Sequence, residues 1–135
     1  MTEPHEGGAV IDASALLCWL FREPGAHLVE PYLAAGASIS TVNLAEVTCK
    51  LSDRAVPGED IERIIDELPV EVRNLDIGTV RQIYGLRAAC RPLGLSMGDM
   101  ACIATGLQAG VRIVTADGVW KKLPRRIAST IVFVR

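Results

Sequence analysis

Two rhythms alternate along the chain: short apolar runs of strand length, and longer stretches whose apolar residues recur three or four positions apart. Residues 9–12, 37–40, 70–75, 111–115 and 130–134 are the short runs and predict five strands. The first must stop at its acid, the third alternates like an edge strand, and the fourth reads as a buried one. Helical spacing predicts an apolar helix over 15–21, ended by Pro24 and Gly25, and a second over 26–35 that Pro31 should kink or whose start it should shift. A third helix begins at Asn43 and runs through Leu44, Val47, Lys50 and Leu51. After Pro57 and Gly58 an amphipathic helix covers 59–68, with Ile61, Ile64, Ile65 and Leu68 on one face. Asp76 caps a helix through Val80, Ile83, Leu86 and Ala89, which Pro92 and Gly94 end. Ser96 opens the helix carrying Met100, Ile103, Ala104 and Leu107, with Gly110 as its C-terminal cap, and 117–122 is a short helix. Strands alternating with helices predict an α/β domain. Residues 1–8 read as a disordered polar tail in front of one domain over 9–135.

Four acids punctuate this pattern. Asp12 and Asp117 follow strands, while Glu46 and Asp99 lie in the first turns of helices. In open α/β sheets, sites form in the crevice at the carboxyl ends of the strands, which is where such positions converge. Carboxylates crowded together raise one another's pKa and cannot all stay ionised without a cation, so a divalent metal is the simplest remedy.

Each acid alone has an ordinary structural explanation. Asn43 with Glu46, and Ser96 with Asp99, have capping-box spacing, and Asp12 and Asp117 suit N-caps worth about 1 kcal/mol each. Singly, capping is the better explanation. Jointly the balance reverses, because no Lys or Arg falls within the same short motifs to pair four acids at one end of alternating elements.

Composition narrows the remaining classes. At 135 residues the chain is the length of one domain, and its half share of hydrophobic residues suffices for one core. No apolar run approaches the roughly 18 residues of a membrane span, and the first residues lack the basic start and hydrophobic stretch of a signal peptide, so a cytoplasmic protein is expected. Cys18, Cys49, Cys90 and Cys102 have neither CxxC nor zinc spacing and read as reduced core residues. Trp120, Trp19 and Phe21 are assigned to packing. The net charge of −2 gives no general attraction for nucleic acid, leaving two local basic clusters, Lys121 and Lys122 with Arg125 and Arg126, and Arg87 with Arg91. Taken alone these read as solvated cations near helix C-termini.

Other α/β chemistries fit less well. No GxGxxG turn follows the first strand, and no GxxxxGK[ST] loop occurs. A phosphoaspartyl hydrolase of the haloacid dehalogenase type, with Asp12 as nucleophile, usually carries a second aspartate where Ser14 stands.

The segments Val10-Ile11-Asp12-Ala13-Ser14-Ala15-Leu16, Thr41-Val42-Asn43-Leu44-Ala45-Glu46-Val47, the run of residues 93–102 around Asp99, and Val114-Thr115-Ala116-Asp117-Gly118-Val119-Trp120 appear in this order. Together they make the chain resemble PIN domains, specifically VapC-type toxins of bacterial toxin–antitoxin pairs, over about residues 9–134. The resemblance implies a central parallel sheet of about five strands flanked by helices, and an endoribonuclease dependent on Mg²⁺ or Mn²⁺. It implies Asp12 and Asp99 as principal metal ligands, Asp117 as a further ligand directly or through water, and Glu46 as the acid that orients or deprotonates the attacking water. Ser14 and Thr115 match small hydroxyl positions that hydrogen-bond the acids or the scissile phosphate, alongside an ordinary role in capping or packing. An RNA substrate, a cognate VapB-type antitoxin and a homodimer are the implied partners. Helix 15–21 and the apolar face of 59–68 are the candidate docking surfaces for the antitoxin, though core packing explains both equally well. From a different class, a PIN-like module that binds RNA or protein without turnover uses the same acids.

Overall fold

The strands β1 (Ala9–Ile11), β2 (Ser38–Ser40), β3 (Glu71–Arg73), β4 (Arg112–Thr115) and β5 (Ile131–Phe133) form one sheet in the order β3-β2-β1-β4-β5, with every neighbouring pair parallel. The computed structural model describes residues 8–135. Of the expected disordered tail only Gly8 falls among these, and it is buried with a φ of 83°; the rest of that segment lies outside the described residues.

Both faces of the sheet are covered, which is why the central strand β1 is apolar throughout instead of alternating with polar residues. Successive side chains point to opposite faces. Ala9 and Ile11 accordingly pack with Leu16, Val29, Ile39, Val47 and Val114 in one core layer, and Val10 packs with Ile103, Ile113, Trp120 and Ile127 in the other. The register agrees: Val10 lies beside Ile113 and Ile11 beside Val114.

The first layer is roofed by α1 (Ala13–Leu20), α2 (Ala26–Ala34) and α3 (Thr41–Asp53), and the second is closed by α5 (Ile77–Cys90) and α6 (Met97–Ala109). Helix α6 touches β1, β2 and β4 on the sheet as well as α3 and α5. Pro31 sits inside α2, which nevertheless starts at Ala26, so the helix start is not shifted. An amphipathic α4 (Gly58–Glu67) buries no residue fully; Ile61 and Ile64 lie half-covered against the first layer.

Several local expectations need correction. The third helix begins at Thr41 with Ser40 as its N-cap, because the Ser40 hydroxyl accepts from the Asn43 amide, and this frees the Asn43 side chain. The segment after Asp117 is a 3-10 turn, Gly118–Lys122, and an unexpected short helix α7 (Arg125–Ala128) follows Pro124. Arg125 and Arg126 therefore open a helix of their own, so short that they also fall in its last turn. Cys18, Cys90 and Cys102 are buried thiols, but Cys49 is exposed. Trp120 is fully buried, while Trp19 and Phe21 are half-buried, the first donating to Glu30 and the second carrying the Arg54 guanidinium over its ring at 4.0 Å. Among the described residues no helix is long and apolar enough to cross a membrane.

Close packing of α6 on β4 rests on Gly106. A Cβ there would stand 2.2 Å from Cγ1 and 2.7 Å from Cδ1 of the fully buried Ile113. Overpacking of this kind costs roughly 1–3 kcal/mol, against about 1 kcal/mol gained in helix propensity. Gly106→Ala is therefore expected to lower the urea unfolding midpoint with an unchanged m-value, and a raised midpoint would show that the contact has slack.

Candidate active site

Strand order places the site. The chain runs outward from β1 through β2 to β3 on one side, then returns to β4 and β5 on the other, so the crevice outside the carboxyl ends of β1 and β4 is a topological switch point. Asp12 is the first residue after β1, and Thr115 and Asp117 close and follow β4. Helix α3 starts directly from β2 and brings Glu46 to the same end, while the first turn of α6 brings Asp99. All four acids line one cavity of about 300 Å³, together with Ala13, Ser14, Leu17, Asn43 and Lys50.

Asp12 is its buried centre, only 4% exposed. The Ser14 hydroxyl lies 2.8 and 2.9 Å from its two carboxylate oxygens, the Thr115 hydroxyl donates to Oδ2 at 2.8 Å, and the Ala15 amide donates to Oδ1 at 2.9 Å. Those hydroxyls are themselves held, because the Ala116 amide donates to Ser14 Oγ and the Asp117 amide to Thr115 Oγ1, each at 3.0 Å. Ser14 and Thr115, expected to meet either the acids or a phosphate, here turn their protons toward Asp12. Such bonds favour the carboxylate, but burial opposes them more strongly and the charge of Asp99 adds to it, so the Asp12 pKa rises from 3.8 to about 7.

Capping and the cavity are compatible. Asp12 caps α1 through the Ala15 amide, Asp99 completes a capping box with Ser96, and Asp117 caps the following 3-10 turn by accepting from the Val119 amide at 3.0 Å. A cap engages one carboxylate oxygen. Asp99 uses Oδ2 and Asp117 uses Oδ1, and among the described residues the other oxygen of each has no protein donor.

Glu46 is fixed differently. The Asn43 side-chain amide donates to Glu46 Oε1 at 2.7 Å and to the Gly98 carbonyl at 3.0 Å, while Asn43 Oδ1 takes the Ser40 hydroxyl proton at 2.5 Å. A Cβ on Gly98 would fall 2.3 Å from Glu46 Oε1, so glycine is what allows that carboxylate to lie against α6. Asn43 and Gly98 were not among the expected site residues. Nor was Lys50, which lies just outside the short motif around Glu46 yet lines the same cavity: it stands one helical turn beyond Glu46 on the same face of α3, a spacing legible in the sequence.

The buried Cys102 thiol, on α6, reports the convergence. Burial pushes its pKa up first, and the charges of Asp12, Asp99 and Glu46 each push it further. Among the described residues no three of His, Cys, Asp and Glu close into a ready-made metal cage. The donors are nonetheless all oxygens, two with an unengaged lone-pair face, which suits Mg²⁺: it keeps several waters and takes only one or two carboxylates from a protein.

Comparison with known proteins agrees with this architecture. The sequence matches the PIN domain family over residues 9–126. Similar solved structures include a toxin–antitoxin complex from Klebsiella pneumoniae, 16% identical with a TM-score of 0.71, covering 95% of this chain and 98% of that one. VapBC2 from Rickettsia felis, bound to a DNA fragment from its promoter, is 14% identical with a TM-score of 0.68, covering 93% and 96%. FitAcB from Neisseria gonorrhoeae is 18% identical with a TM-score of 0.66, again covering 93% and 96%. No curated protein matches the chain at a significant level.

A raised pKa at Asp12 makes the metal-free fold sensitive to pH. Between 3.8 and about 7 an unfolded chain has already released the proton that the folded protein retains, so stability falls as pH rises through that window. Below it the group has no effect, and above it the loss is complete. Asp12→Asn removes the charge while its amide oxygen can still accept from Ala15. In metal-free buffer the variant is expected to be more stable than the wild type by roughly 1–3 kcal/mol above about pH 7, with the gap closing toward pH 4. Urea titrations across pH check this, and a variant less stable at every pH would contradict it.

Proposed function

The chain belongs to the PIN domain family, and from that premise we propose that it is a metal-dependent endoribonuclease, the toxin of a VapBC-like toxin–antitoxin pair. The observation that carries this reading is the meeting of Asp12, Glu46, Asp99 and Asp117 in one cavity at the switch point of the sheet. In it, Asp12 and Asp99 hold an Mg²⁺ or Mn²⁺ ion, with Asp117 a further ligand directly or through water. Such an ion supplies Lewis-acid polarisation of a phosphoryl oxygen and a lowered pKa for water.

The chain's own residues supply the rest. Glu46 has Oε1 tied to Asn43, and its other oxygen orients the attacking water and accepts its proton. Ser14 and Thr115 are positioning residues, since their hydroxyls fix the plane of the Asp12 carboxylate. Asn43 sets Glu46 against the first turn of α6.

The structural neighbours, one named as a toxin–antitoxin complex and another as VapBC2, support a cognate VapB-type antitoxin as partner. Helix α1 and the half-covered apolar face of α4 are surfaces suited to it. A homodimer is supported by the exposed row Ile77, Val80 and Tyr84 on α5, which are 65%, 46% and 78% accessible.

Purified protein incubated with RNA and Mg²⁺ or Mn²⁺ is expected to cut it, and EDTA is expected to abolish cutting. Asp99→Asn, which keeps an oxygen for the capping box but loses the charge, is expected to lower the cleavage rate at least 100-fold, on the order of 3 kcal/mol. Equal cleavage by the wild type and the variant would point to a contaminant. Intact RNA with both, alongside tight Mn²⁺ binding by the wild type alone, would favour a binding module without turnover.

A further inference from the structure

Lys50 is the one cation among the residues lining the acid cavity. Its place, four residues after Glu46 with the acid N-terminal, is the favourable orientation for an ion pair along a helix. Yet among the described residues no ion pair reaches Lys50, and its side chain is exposed. The reason lies in the neighbours: Glu46 is held by the Asn43 side-chain amide and lies against Gly98, leaving the ammonium without a carboxylate. Lys50 also lies in the last turn of α3, where a cation is favoured by the helix dipole. The dipole alone, however, would be satisfied by any position in that turn and does not require the side chain to face the acids.

Resting on the endoribonuclease reading above, we propose that Lys50 is a substrate-binding residue that contacts a non-bridging phosphate oxygen of RNA entering the acid cavity. The other ionisable residues lining the cavity, Asp12, Glu46, Asp99 and Asp117, are all acids and offer a phosphodiester no attraction of their own. The exposed, unpaired Lys50 ammonium supplies the one positive protein charge in the lining, and a lysine serves as a point-charge phosphate contact. The overall charge of −2 makes such a local contact count for more, since no general basic surface draws RNA in.

The test compares the wild type, Lys50→Gln and Lys50→Arg in steady-state cleavage of a single-stranded RNA with Mn²⁺, over a series of KCl concentrations. Calorimetric titration of each protein with Mn²⁺ alone, and thermal unfolding, accompany it. Lys50→Gln is expected to raise KM roughly tenfold with kcat nearly unchanged. It should also flatten the dependence of log KM on log salt by about 0.7, the value for one phosphate contact on a single strand. Lys50→Arg is expected to restore both, with Tm unmoved throughout. If Lys50→Gln left the salt slope unchanged while tightening Mn²⁺ binding, Lys50 would be an internal counter-charge and the proposal would be overturned with the nuclease reading intact. A wild type that bound Mn²⁺ but never cut RNA would overturn both together.

Discussion

Everything at the functional end of this protein depends on one carboxylate buried where the central strand stops. Asp12 follows Ile11 and precedes α1, so its backbone is committed on both sides: its amide donates to the Val114 carbonyl, and its side chain caps the helix. Burial at that point works against ionisation, and two hydroxyls with one backbone amide only partly offset it. A group so placed has two stable conditions, protonated or facing a cation. In the proposed function the second condition is the working one, because the oxygens of the other acids around it are the donors a hard divalent ion prefers.

The hydrogen bonds that build the fold therefore also build the site. Capping consumes one oxygen of Asp99 and one of Asp117 and fixes the direction of the other. Ser14 and Thr115 receive their lone-pair partners from the backbone of residues 116 and 117, so the loop after β4 sets how their protons point at Asp12. Helix α6 is the common support. It carries Asp99 in its first turn, cradles Glu46 at Gly98, passes Cys102 under the charges of Asp12, Asp99 and Glu46, and packs on the sheet through Gly106. The geometry of the acid cavity and the core packing cannot be changed independently along this helix.

Much of this was legible in the sequence because the responsible signals are local. Strand runs, the Ser96 and Asp76 caps and the Gly110 terminus depend on neighbouring residues, and they lie where the pattern places them. The grouping of the four acids was legible too, since alternation of strand and helix forces such positions to one end of the sheet. Long-range contacts were hidden. Nothing near Asn43 announces that Ser40 would take over the cap and leave its side chain to reach across to Gly98, 55 residues away. Lys50 was visible as a helical neighbour of Glu46, but its freedom from that partner arises only from the packing of α3 on α6. The short helix after Pro124 was missed because four residues carry too little periodicity to be distinguished from a loop.

The central claim is that Asp12 is held near neutrality by burial and that a divalent ion is what releases its proton. Carbon-13 NMR titration of the aspartate carboxyl groups measures this directly, with Asp12 assigned by its disappearance in Asp12→Asn. The account predicts a midpoint near pH 7 in metal-free protein, far above the ordinary 3.8, falling sharply when Mg²⁺ is added. A midpoint close to 3.8 that Mg²⁺ leaves unmoved would contradict it.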